Sequence, residues 1–119
     1  MVQMTMQVPN GLAKRLNPLR SWLPIILELS LVGYKTLATE TATEIIQFLS
    51  KNPSSQEVLE YSISERAQLR LRRLLALNEA GVLGEMEQLE LDELQQIEHI
   101  MIMLKTQITK QLQHKEQCH

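Results

Sequence analysis

From Glu85 to Leu112 the chain contains neither glycine nor proline, and its apolar residues recur at helical spacing. Met86, Leu94, Ile97, Met101, Leu104, Ile108 and Leu112 follow one another at intervals of three and four from Leu94 onward. An α-helix turns once every 3.6 residues, so these side chains form a single stripe that must be covered. At 1.5 Å per residue the helix is about 42 Å long.

The segment before it folds back on it. Gly81-Val-Leu-Gly84 is too short for anything but a tight connection between antiparallel neighbours. Upstream, Ser62-Ile-Ser-Glu65 has the form of a capping box, with a hydroxyl at the N-cap and a carboxylate three residues on. It predicts a helix over about 64–80, ended by Gly81, with Ala67, Leu71, Leu74, Leu75 and Asn78 on its broad inner face. Paired positions across the hairpin then sum to roughly 165, which sets Arg73 against Asp92 and Glu93, and Arg66 against Glu98 and His99. Exposed ion pairs of this kind contribute about 0.2–1 kcal/mol each, so they select register, while aliphatic burial at about 25 cal/mol per Å² does the holding.

The two helices are unequal. Met101 to Leu112 outruns the shorter one, and Ile100-Met-Ile-Met-Leu104 is apolar all round, which predicts burial on more than one side. The excess must lie on the N-terminal helices, on a second copy, or on another protein. Leu94, Ile97, Met101, Leu104, Ile108 and Leu112 are therefore the candidate partner-binding residues, with methionines that suit an adaptable contact.

Composition agrees with an all-α fold. Of 119 residues 44% are apolar, rich in Leu, Ile and Met, with only Trp22, Tyr34, Phe48 and Tyr61 as aromatics. These are helix formers rather than strand formers, and the length suits one domain spanning 1–119. The first eight residues, with three Met and no clear period, read as a frayed start, and Gln113 to His119 as a polar tail. Pro9 to Leu16 predicts a short helix, and Asn17-Pro18 a turn. Ser21 is the expected N-cap of a helix reaching Leu31, stopped by Gly33. Thr36 to Glu40 reads as a linker, and Thr41-Ala-Thr-Glu44 as a capping box opening a helix that Asn52-Pro53 ends. Ser54-Ser-Gln-Glu57 is another box, starting a helix of one to two turns.

The apolar run from Trp22 to Val32 is about 11 residues and carries Pro24 and Glu28, against the roughly 20 apolar residues of a membrane-spanning helix. With one cysteine, Cys118, and no signal-peptide core at the start, a cytoplasmic, membrane-free protein is expected.

Catalytic chemistry needs a convergent set of titratable groups. His99 stands beside Glu98, but adjacent helical residues do not face each other, and no strong metal ligand lies three or four residues away. His114, Cys118 and His119 could bind a soft metal but lack a fourth ligand. There is no phosphate loop, nucleophile elbow or CxxC. The expectation is no enzyme, no cofactor and no metal. Arg66, Arg70 and Arg73 share a helix face and could contact phosphate. No aromatics interleave them for base stacking, and an acidic helix follows at once, with Glu85, Glu87, Glu90, Asp92 and Glu93 read as its solvated first half. Internal pairing is the preferred reading, and a nucleic-acid-associated regulator is the alternative.

The run Glu44-Ile-Ile-Gln-Phe-Leu49, Pro53-Ser-Ser-Gln-Glu57, Ser64-Glu65, Arg70-Leu-Arg-Arg-Leu-Leu75, Asn78-Glu-Ala-Gly81, Glu87-Gln-Leu-Glu-Leu-Asp-Glu93 and Glu98-His99 to Leu104-Lys105 resembles a family of short all-helical bacterial proteins abundant in cyanobacteria. The resemblance covers about half the chain, 44–106. It implies an all-helical fold in a bacterial cytoplasm. It also implies an accessory or antitoxin-like role, since such proteins often neighbour nuclease-like or toxin-like genes; it supplies no functional residues. Together these readings predict a small helical bundle with a C-terminal hairpin, acting as a non-enzymatic protein–protein interaction module. The module would self-associate or bind and neutralise a partner protein.

Overall fold

One helix organises the molecule. In the computed structural model, which describes residues 2–117 and side chains through His114, α6 runs from Glu85 to Gln117. Its 33 residues make a rod of about 50 Å. Before it come α1 (Asn10–Leu16), a 3-10 turn (Asn17–Leu19), α2 (Leu23–Leu31), α3 (Ala38–Leu49), α4 (Ser55–Glu60) and α5 (Glu65–Glu79). The fold is all-α, with no strand among the described residues. Helices α2, α3, α4 and α5 all pack on α6, and α2 also packs on α3. The polar stretch from Gln113 to Gln117 continues α6 instead of fraying.

The core follows from helical periodicity. In α3 the buried residues are Ala38, Thr41, Ala42, Ile45 and Leu49, a stripe at three- and four-residue intervals. They meet Leu91, Leu94, Ile97, Ile100, Met101, Leu104 and Ile108 of α6, together with Trp22, Leu29, Val58 and Leu74. Full burial of each Leu or Ile contributes about 1.5–3 kcal/mol. Phe48 and Tyr61 stack beside this core, with ring centroids 4.4 Å apart.

Several helix boundaries match the local signals. Ser54 and Glu57 form the reciprocal capping box of α4. Helix α5 ends in a Schellman motif: Gly81 adopts φ 72°, its N–H donates to the Asn78 carbonyl, and the Val82 N–H donates to Leu77. Asn52, at φ 55°, turns the chain out of α3 ahead of Pro53, a backbone region that Asn tolerates.

Others differ. Ser21 does not cap α2; Trp22 holds the N-cap position without a side-chain cap. The Asn17-Pro18 turn is already winding, with the Trp22 N–H on the Leu19 carbonyl, and Trp22 is drawn inward by its indole N–H donating to Pro53 at 2.9 Å. Helix α3 begins at Ala38, a turn before the expected Thr41, which is buried inside the helix. The cap of α5 is Ser64, whose hydroxyl accepts the Ala67 N–H; Ser62 lies in the link before it. On α5, Ala67 and Leu74 are buried, whereas Leu75 and Asn78 are exposed.

Candidate interaction surfaces

The apolar stripe of α6 is consumed inside the chain. Leu94, Ile97, Met101, Leu104 and Ile108 are all buried, and of the six candidate partner-binding residues only Leu112 is exposed. The part that outruns α5 is covered by α2, α4 and the loop before α4: Trp22, Ile25 and Pro53 stand across from Leu104 and Ile108 around one cavity of about 450 Å³. The length mismatch is real, but the chain's own helices cover it as far as Ile108. Met86, placed on the stripe by spacing, is exposed. The run Ile100 to Leu104 is not buried all round either, because Ile102 and Met103 face solvent.

Two of the acids expected on a solvated face are buried, with residual exposures of 7% each: Glu90 and Glu93. The Glu93 carboxylate accepts the backbone N–H groups of Lys35 (2.9 and 3.2 Å) and Thr36 (3.1 Å) and the Thr36 hydroxyl (2.6 Å). Thr36 Oγ1 in turn accepts the Ala38 N–H. A carboxylate from α6 thus orders the entry to α3, which is why that helix starts early without a cap of its own. Next to it the Tyr34 hydroxyl is buried with no hydrogen-bond partner among the described residues. Burial first, then the charges of Glu93 and Glu28, raise its pKa.

Glu90 takes the Arg70 guanidinium at 2.6 and 3.3 Å. That contact raises the Arg70 pKa further. The pairing shifts the hairpin register from the expected one, since Arg73 is not the partner of Glu93. Arg66 and Arg73 remain exposed beside a cleft of about 350 Å³ between α3 and α5, but its opposite edge carries Glu40 and Glu44. These acids, with Arg70 already neutralised, oppose a phosphate backbone on the Arg66, Arg70 and Arg73 face.

On the other side of α5, Leu71, Leu75 and Ile102 line a second cleft of about 330 Å³. Lys105, at its end, donates to the Tyr61 carbonyl at 2.5 Å and so holds the α4–α5 link.

No group of three or more His, Cys, Asp or Glu side chains is arranged to hold a metal among the described residues. His99 is exposed; Cys118 and His119 lie outside the described residues. No described helix is long and apolar enough to cross a membrane.

The N-terminal part is the least covered. Helix α1 has no buried residue, and its principal contact is the 3-10 turn that follows it. Exposed apolar side chains accumulate there: Val2, Met4, Met6 and Leu12, then Leu27 and Leu31 on α2. The radius of gyration, 16.9 Å, exceeds the roughly 13.5 Å of a compact chain of this length. Residues 2–9 are not helical.

Compared with known proteins, the chain matches no family model, no curated protein and no solved structure.

Proposed function

We propose that this chain is a non-enzymatic protein–protein interaction module that associates with a second copy of itself through its N-terminal arm, residues 2–16. The observation that carries the reading is α1. It has seven residues and buries none of them, whereas an isolated helix shorter than about 12 residues is marginal in water. Such a helix, with its own Leu12 and the preceding Met4 and Met6 in solvent, needs a surface to lie on. Single exposed apolar residues need no explanation, but a cluster on one arm does. The α6 stripe no longer serves as the interface, because the chain's own helices occupy it. The setting is a reducing cytoplasm, which a single cysteine suits. An antitoxin-like role is part of the proposal and rests on the resemblance of residues 44–106 alone.

Light scattering on the full chain at micromolar concentration tests self-association. The expected mass is twice the 13.7 kDa of one chain. A monomer across that range would contradict the reading.

A further inference from the structure

Residues 2–8 read Val-Gln-Met-Thr-Met-Gln-Val, the same in both directions about Thr5. Apolar Val2, Met4, Met6 and Val8 alternate strictly with polar Gln3, Thr5 and Gln7. A period of two is the pattern of a strand with one buried face, and the backbone here is not helical. No backbone hydrogen bond ties 2–8 to another segment among the described residues. Val2 is 87% exposed, Met4 86% and Met6 69%. This is a segment with a strand's pattern and no partner among the described residues.

We infer that residues 2–8 of two copies pair as an antiparallel two-stranded ribbon about a two-fold axis at Thr5. The inference deepens the self-association proposed above and rests on it. The occupant is a second copy because the palindrome is self-complementary. In antiparallel pairing about Thr5, Val2 stands opposite Val8, Gln3 opposite Gln7, Met4 opposite Met6, and Thr5 opposite itself. Directly opposed residues share a face, so one face is wholly apolar and the other wholly polar. A slip by one residue sets every apolar side chain against a polar one, and a slip by two leaves residues at the strand ends unpaired, so pairing about Thr5 matches the most residues. Pro9 ends the strand, having no N–H to continue a ladder, and α1 starts at the next residue.

A two-stranded ribbon alone is marginal in water and needs a helix against its apolar face. The arm provides one in α1, where Leu12 is exposed. Val8, the last apolar position of the strand, is already half-buried, so this face turns inward where the strand meets the helices.

Site-directed disulfide trapping tests the pairing in full-length chain carrying Cys118→Ser. Thr5→Cys should oxidise almost completely to a covalent dimer, because the two-fold sets the residue against itself. Gln3→Cys alone should not, but Gln3→Cys with Gln7→Cys should. Comparable trapping of Gln3→Cys alone, or none of Thr5→Cys, in a chain that scatters as a dimer would overturn the ribbon and leave self-association standing. A chain that scatters as a monomer would overturn both. Met4→Asp with Met6→Asp should convert dimer to monomer while leaving the helical circular dichroism in place; a dimer unaffected by both charges would also overturn the ribbon.

Discussion

Glu93, in the first third of α6, holds Thr36, 57 positions away in sequence, by both its backbone N–H at 3.1 Å and its hydroxyl at 2.6 Å. One carboxylate so sets where the α2–α3 loop sits and where α3 begins. Hydrogen bonds to a charged group contribute about 1.5–3 kcal/mol, and stranding their donors costs more than replacing them. Glu93→Ala should therefore lower stability by about 2–4 kcal/mol. Glu93→Gln, which keeps an acceptor, should lower it by less. Urea denaturation followed by circular dichroism gives both values; equal losses would indicate that the charge is irrelevant.

Tyr34 lies against this site with its hydroxyl unpaired among the described residues. Removing the oxygen removes an unmet polar group, so Tyr34→Phe should leave stability at neutral pH unchanged or raise it by up to about 1 kcal/mol. The pH dependence has a definite sign. Burial and the charges of Glu93 and Glu28 raise the Tyr34 pKa above the unfolded value of 10.0. The contribution is thus fully present below pH 10 and lost as pH rises through the folded pKa. Thermal melts of the wild type should fall more steeply at alkaline pH than those of Tyr34→Phe. Tyr61, raised by burial and then by Glu44, leaves a residual slope in the variant.

The Arg70–Glu90 pair is asymmetric: the Arg70 side chain is 39% exposed and that of Glu90 only 9%. Arg70→Ala leaves a buried carboxylate without its partner and should cost about 1–3 kcal/mol. Arg66→Ala and Arg73→Ala, on the exposed cleft edge, should fall within about 0.5 kcal/mol of wild type. Restoring stability to Arg70→Ala by adding Glu90→Gln would confirm that the cost comes from the stranded charge.

The stripe of α6 gives a contrast on a single helix. Ile97→Ala and Leu104→Ala remove fully covered side chains and should each cost about 2–5 kcal/mol. Ile102→Ala and Met103→Ala should cost less than about 1 kcal/mol. Chemical denaturation separates the two pairs, and comparable losses for all four would mean that α6 is covered on more sides than its packing shows.

Much of this architecture is legible in local patterns. The Leu94 to Ile108 stripe, the Ser54–Glu57 box and the Gly81 stop are each written within a few residues, because helix periodicity and capping are local chemistry. What fails to show is tertiary. The Thr41 box is well formed in the sequence, yet Glu93 orders the backbone ahead of it and α3 starts at Ala38. Trp22, in place of Ser21, stands at the N-cap of α2 because its indole is held in the core by Pro53, 31 positions away. Glu93 itself is indistinguishable in sequence from its solvated neighbour Asp92, and only the packing of α3 on α6 separates them. The excess length of α6 was visible, but not that α2 and α4 would cover it. The alternation of Val2 to Val8 was also readable, and was obscured by three methionines that look like an unstructured start.

The proposed dimer meets its partner copy through the N-terminal arm and not through the α6 stripe. Amide hydrogen exchange on the full chain, measured across a range of protein concentrations, tests this most directly. Alternate amides within residues 2–8 should become protected as concentration rises, while those of Ile97 to Leu104 stay protected throughout. Unprotected exchange in residues 2–8 at every concentration would contradict it.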